Sequence, residues 1–243
     1  MNQKYYMKFN ENLLWFSVIV LCLLSQSSTD KFSILTIFWV LIIIAVGNAK
    51  RIYSPNYANS ILFIRRAMYV IPYCLPLIVY LPLLKTGNSV YWCLLGIIIG
   101  VILLLPKLNE WRLFLSFDVI ELSPYRTKPD YLSSILMILG AAVGEELFFR
   151  GFIYYVSDAS NVLFFCLSPF LFFLNHFGAK WNASFKPYDY IFQILFSILS
   201  CVLYVFSQSI IPCILAHIFY NLPTALLEIR SLVYHHYRAK ATQ

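Results

Sequence analysis

Glu145 and Glu146 stand side by side in the middle of an apolar run from Tyr131 to Val156, and Arg150 follows four residues after the second glutamate. An ionisable residue near the bilayer midplane costs about 2.5–3.5 kcal/mol on insertion scales, so such groups face a cavity or a partner and point to function. A separation of four residues puts Glu146 and Arg150 on one helix face, within ion-pairing reach. Glu145 is turned by about 100 degrees from its neighbour on a helix of 3.6 residues per turn. It has no arginine at helical spacing and is the carboxylate left for chemistry.

Two later apolar runs each carry one imidazole. In "FLFFLNHF" Phe172 and His176 are four apart, and in "HIFYN" His217 and Asn221 are four apart. Either histidine alone is explained by a hydrogen bond to a neighbouring helix, and a lone Glu-Arg pair by a structural clasp. Together they say more, because the other two histidines, His235 and His236, lie in a basic tail and read as solvated residues. A carboxylate, two imidazoles and an amide can hold and deprotonate water, and two His with one Glu is also a zinc ligand set with an open position. Water-activating hydrolysis is the natural inference.

The elements that must position these groups are membrane helices. Of the 243 residues, 60% are hydrophobic and only 12% charged, with a mean hydropathy of +0.73. Lipid-facing helices can be apolar all round, whereas a water-soluble domain of this size needs far more polar surface. The expectation is an all-α polytopic transmembrane bundle of about eight spans, near residues 12–27, 32–49, 67–84, 90–106, 131–157, 161–177, 188–206 and 209–229. Residues 1–130 then form N-terminal helices and a cytoplasmic connector, 131–229 the catalytic helices of the same bundle, and 230–243 a basic tail.

The net charge of +7 follows from topology, and nucleic-acid binding is not expected. With a cytoplasmic N-terminus, alternate loops hold Lys4 and Lys8; Lys50, Arg51, Arg65 and Arg66; Lys107, Arg112, Arg126 and Lys128; Lys180 and Lys186; then Arg230, Arg238 and Lys240. The opposite side has only Lys31 and Lys85. This is the positive-inside pattern, and it predicts a multi-pass protein of the cell membrane with both termini cytoplasmic. Tyr5, Tyr6, Tyr53, Tyr57, Tyr188, Tyr190, Tyr234 and Tyr237 sit near span ends, as in an interfacial aromatic belt.

The first apolar run, Leu13 to Leu24, is expected to remain as an anchor, since cleaving it as a signal peptide would spoil the charge alternation. The six cysteines lie within apolar runs without C-x-x-C spacing and read as small buried hydrophobes. The polar connector after the fourth run places Leu108, Trp111, Leu115 and Val119 at helical spacing, consistent with an interfacial helix. Pro124 and Pro129 are expected to end it before the fifth span. Asn182-Ala183-Ser184 matches a glycosylation acceptor but falls in a predicted cytoplasmic loop.

With these motifs in place the chain resembles the CPBP intramembrane proteases, which include type II CAAX prenyl endopeptidases and bacteriocin-processing or self-immunity proteins. The family pattern E-E-x-x-x-R is met by Glu145, Glu146 and Arg150, F-x-x-x-H by Phe172 and His176, and H-x-x-x-N by His217 and Asn221. The resemblance covers Leu132 to Leu227, and the first four spans carry no signature. It implies an endopeptidase in which Glu145 activates water and His176 assists or binds metal. His217 and Asn221 would stabilise the oxyanion or complete the polar cluster, with Glu146 and Arg150 as supports and Phe172 as a packing or substrate-wall residue. The zincin motif H-E-x-x-H is absent, yet the family's classification points to a metallo-endopeptidase with zinc or another divalent cation on Glu145, His176 and His217. Partners implied are a peptide or membrane-protein substrate and the lipid bilayer. The abundance of Ile, Phe, Tyr, Asn and Lys hints at an AT-rich bacterial genome and thus at bacterial peptide maturation or bacteriocin immunity. A non-catalytic membrane regulator or immunity protein is the alternative, and a transporter finds no inverted repeat to support it.

Overall fold

In the computed structural model, which describes residues 9–27, 30–52, 58–81, 85–87, 89–158, 160–180 and 187–238, the elements are helical. The N-terminal half comprises α1 (Phe9–Ser27), α2 (Asp30–Asn48), α3 (Ala58–Ala67), the short α4 (Ile71–Cys74) and α5 (Leu77–Tyr80), α6 (Val90–Ile102), and the connector helices α7 (Leu108–Phe114) and α8 (Phe117–Leu122). The C-terminal half comprises α9 (Lys128–Glu146), α10 (Ile153–Val156), α11 (Asn161–Leu174), α12 (Pro187–Ser207) and α13 (Ile211–Val233). Wider π-helical turns occupy Leu147–Phe152, Asn175–Lys180 and Tyr234–Arg238.

Five stretches, Asp30–Arg51, Val90–Phe114, Lys128–Val156, Asp189–Ser207 and Ile211–Tyr237, are long and apolar enough to cross a membrane. Ser60–Ala67 with Ile71–Tyr80, bent by 41°, makes a sixth if taken as one span. Asn12–Gln26 and Asn161–Phe177 are apolar but shorter. The eight apolar runs are therefore helical in the described residues, while five or six of them have the length of a crossing. Large apolar side chains face outward as well as inward, since Ile78, Val162 and Leu122 are largely exposed while Trp39, Tyr73 and Phe148 are fully buried.

The two halves form one bundle. Helix α6 lies along α13 so closely that a Cβ on Gly96 would collide with the Pro212 backbone, and one on Gly100 with the Ala216 backbone and the Phe219 Cβ. Small residues spaced by four permit such backbone approach between membrane helices. Helix α1 packs on α2 and on the π-helical turn after α11. Buried aromatics fill the centre: Trp39 stacks on Phe148 with centroids 6.3 Å apart, and Phe149 meets Phe172 edge to face at 5.2 Å.

Ion pairs sort the ends of the bundle into two faces. On one, Lys31 pairs with Asp158, Lys85 donates to Gln208, and the Ile210 amide donates to the Lys85 carbonyl at 3.0 Å. On the other, Arg66 binds Asp130, Arg126 binds Glu228, and Lys107 binds Asp189. The second face gathers the loops expected to be basic, and the first those expected to be poor in charge. Lys4, Lys8, Tyr5, Tyr6, Tyr53, Tyr57, Lys186, Lys240, Gln243 and the Asn182 triplet lie outside the described residues.

Three local expectations change. The connector is two short helices broken at Leu115–Ser116 rather than one. Pro129 does not precede α9 but sits in its first turn, where a missing N–H costs nothing. His236 is not a solvated tail residue: it is buried, its Nε2 is 2.8 Å from the Arg126 carbonyl, and its ring lies 5.0 Å from that of Tyr125. The six cysteines are free; Cys201 and Cys213 are buried as expected, while Cys22 and Cys166 are exposed on apolar helices.

Candidate active site

Glu145 and Glu146 end α9, where the chain widens into a π-helical turn, and His176 sits in a second such turn at the end of α11. Insertions of this kind re-aim side chains inside otherwise regular helices and recur at functional sites. The Tyr80 hydroxyl donates to the Leu147 carbonyl in the first of them, tying α5 to that backbone.

The two glutamates diverge as their spacing requires. Glu145 lines a cavity of about 450 Å³, and its Oε2 is 3.5 Å from His176 Nε2. Glu146 points the other way, with no exposed surface. Its Oε1 is 2.8 Å from His217 Nδ1, and its Oε2 is 3.2 Å from Arg150 Nε. Arg150 is equally buried. Its Nη2 donates to the Ser197 carbonyl at 3.1 Å and the Ser197 hydroxyl at 3.0 Å, and its Cζ stands 4.6 Å from the Phe172 ring.

Proton positions follow from the partners. His176 Nδ1 is 3.0 Å from the Phe172 carbonyl, which can only accept, so Nδ1 carries the hydrogen and Nε2 faces Glu145. Likewise His217 Nδ1 donates to the Glu146 carboxylate, leaving Nε2 for other contacts. The Phe172 ring packs at 4.4 Å from the His176 ring and lines the cavity. The same ring lies against the Arg150 guanidinium, 4.6 Å from its Cζ.

All four residues expected to do chemistry, Glu145, His176, His217 and Asn221, line this one cavity, whereas Glu146 and Arg150 are not among its lining residues and pair with each other behind His217. The proposed ligand set Glu145, His176 and His217 is not gathered: no three His, Cys, Asp or Glu side chains among the described residues converge as a metal site.

Several neighbours were not expected in the site from sequence. Ser197, Gln193, Trp111 and the Tyr73–Asn175 pair, with 2.6 Å between hydroxyl and amide oxygen, all belong to the site or its shell. Gln193, Ser197 and Ser200 recur at helical spacing along apolar α12, which is the signal that marks a polar stripe facing inward. The spacing of Trp111 marks only the connector's apolar face, and Tyr73 carries no such signal, because aromatic residues are ordinary at these positions.

No curated protein and no solved structure matches the chain. Residues 127–223, which carry every motif residue of this site, match the family model described as type II CAAX prenyl endopeptidase Rce1-like.

Proposed function

We propose that the protein is an intramembrane endopeptidase that hydrolyses a peptide bond of a membrane-associated peptide or protein. The observation that carries this reading is the 3.5 Å approach of Glu145 Oε2 and His176 Nε2 on a cavity shared with His217 and Asn221. A carboxylate oxygen and an imidazole lone pair both accept, and 3.5 Å is too long for a charge-assisted bond, which falls near 2.7–2.9 Å. A water beside them satisfies both by donating one hydrogen to each. Its oxygen lone pair is then aimed at a bound carbonyl.

In the reaction, the water oxygen bonds to the carbonyl carbon as Glu145 takes its proton. The oxyanion is met by the Asn221 amide, and His217, held by Glu146, completes the polar cluster beside it. When the C–N bond breaks, Glu145 returns the proton to the leaving amine. Peptide maturation or bacteriocin immunity in a bacterium is the role that fits this chemistry and the composition. The decisive assay places the purified chain in liposomes with a candidate peptide and follows cleavage by mass spectrometry. Cleavage by the wild type, lost in Glu145→Gln, supports the reading; full cleavage by that variant sinks it, and a biological effect that survives in the variant favours the regulator.

A further inference from the structure

Two polar groups on the cavity wall take no part in the chemistry just described. Gln193 of α12 is only 7% exposed, and its Oε1 is buried without a hydrogen-bond partner among the described residues. Trp111 of α7 has its indole Nε1 buried in the same condition. Both line the cavity. Buried polar atoms are nearly always paired, so an orphan on a cavity wall needs a partner that the cavity brings.

Their place relative to the catalytic groups is defined by α12. Gln193 and Phe196 are three residues apart and share a helix face, and the Phe196 ring is 4.8 Å from the ring of His217. Asp189, one turn to the other side, is held by Lys107. Gln193 thus lies between the ion-paired rim and the catalytic cluster. The two orphans also differ in polarity, one an acceptor and the other a donor. An extended peptide backbone offers the matching N–H and C=O, whatever its side chains.

We propose that Gln193 and Trp111 form a backbone-reading subsite: Gln193 Oε1 accepts an amide N–H, and Trp111 Nε1 donates to a carbonyl, of an unwound substrate segment held beside Glu145. This rests on the peptidase reading of the cavity and adds a substrate class. A helix keeps its N–H and C=O groups paired within itself, so the segment bound here is extended rather than the intact interior of a transmembrane helix.

The test uses the full chain carrying Glu145→Gln, to prevent turnover, and a fluorescein-labelled ten-residue Ala/Leu peptide. Its backbone N–H groups are replaced by ester oxygens one at a time. One hydrogen bond corresponds to about tenfold in affinity. Binding should weaken about that much at one ester position, and Gln193→Leu should weaken the all-amide peptide equally while abolishing the ester effect. Gln193→Glu, which keeps an acceptor, should retain the ester effect, and Trp111→Phe should weaken binding several-fold. Because Leu removes an orphan, Gln193→Leu should melt no lower than its parent, an outcome that a structural role for the amide would reverse. Absence of binding, or the same ester penalty with and without Gln193, overturns the subsite. A chain that binds in this pattern yet never cuts the peptide as wild type keeps the subsite and loses the endopeptidase assignment.

Discussion

His217 and Glu146 meet across 71 residues of sequence, Nδ1 to Oε1 at 2.8 Å, and this contact couples α13 to the end of α9. The same carboxylate holds Arg150, so one buried anion serves an imidazole and a guanidinium. Removing it strands a cation in the protein interior, and breaking a buried pair from one side typically costs about 3–5 kcal/mol. Glu146→Gln should therefore lower the melting temperature in detergent and also lose activity. Adding Arg150→Met to Glu146→Gln removes the stranded cation and should restore much of the stability without restoring activity. Recovery of both together would show that the pair is a clasp with no role in orienting His217.

Glu145→Gln is expected to behave differently, because Glu145 lies on the cavity wall and Arg150 is held by its neighbour. Expression and melting should stay near wild type while cleavage falls by about 10²–10⁴-fold, the usual contribution of a positioned general base. His176→Asn should cut activity too, by removing the Nε2 that faces Glu145. A Glu145→Gln protein that melts far below wild type would reassign this carboxylate to the fold.

The close crossing of α6 and α13 sets where His217 stands. A Cβ on Gly100 would meet the backbone of Ala216 and, at 3.0 Å, the Cβ of Phe219, while a Cβ on Gly47 of α2 would meet nothing within 4 Å. Overpacking of this kind costs about 1–3 kcal/mol. Gly100→Ala should reduce both melting temperature and activity, whereas Gly47→Ala, which gains helix propensity, should leave both unchanged or raise the first. Equal behaviour of the two variants would refute the close crossing.

Much of this site was legible before any coordinates, and for a physical reason. Charges in apolar runs are costly, so Glu145, Glu146, Arg150, His176 and His217 each announced themselves, and the four-residue spacing correctly paired Glu146 with Arg150. What spacing within a helix cannot convey is the partner on another helix. The link from His217 to Glu146 depends on how α13 docks on α6 and α9, and His236 looked solvated because its partners, Tyr125 and the Arg126 carbonyl, lie in a distant connector. Of the apolar runs expected to span, five or six have the length and composition of a full crossing among the described residues, and Asn12–Gln26 and Asn161–Phe177 are shorter apolar helices.

Metal involvement has a direct test. The donors are not gathered as a ligand set among the described residues, so exhaustive chelation followed by dialysis should leave cleavage unchanged, with less than one metal per chain by elemental analysis. Loss of activity restored by zinc alone would show that Glu145, His176 and His217 regroup around a cation when substrate or metal arrives.

Access to the site follows from combining the two faces of the bundle with the run of the cavity. Its wall extends from Lys107, Asp189 and Glu228, on the face that collects the basic loops, to Glu145 and His217. That face is expected to be cytoplasmic by the positive-inside pattern, and water should reach the catalytic groups from there. In a chain whose six native cysteines are replaced, a single cysteine at position 125, where Tyr125 is well exposed, should react with a membrane-impermeant thiol reagent only from the cytoplasmic side. One at position 86, beside the Lys85–Gln208 contact, should react only from outside. Single cysteines at positions 176, 217 and 221 should react with small reagents admitted from the cytoplasm, and substrate peptide should protect them. Labelling of positions 125 and 86 from the reverse sides would invert the topology with the site intact. Failure of all three cavity positions to label from either side would remove the water-filled cavity that hydrolysis requires.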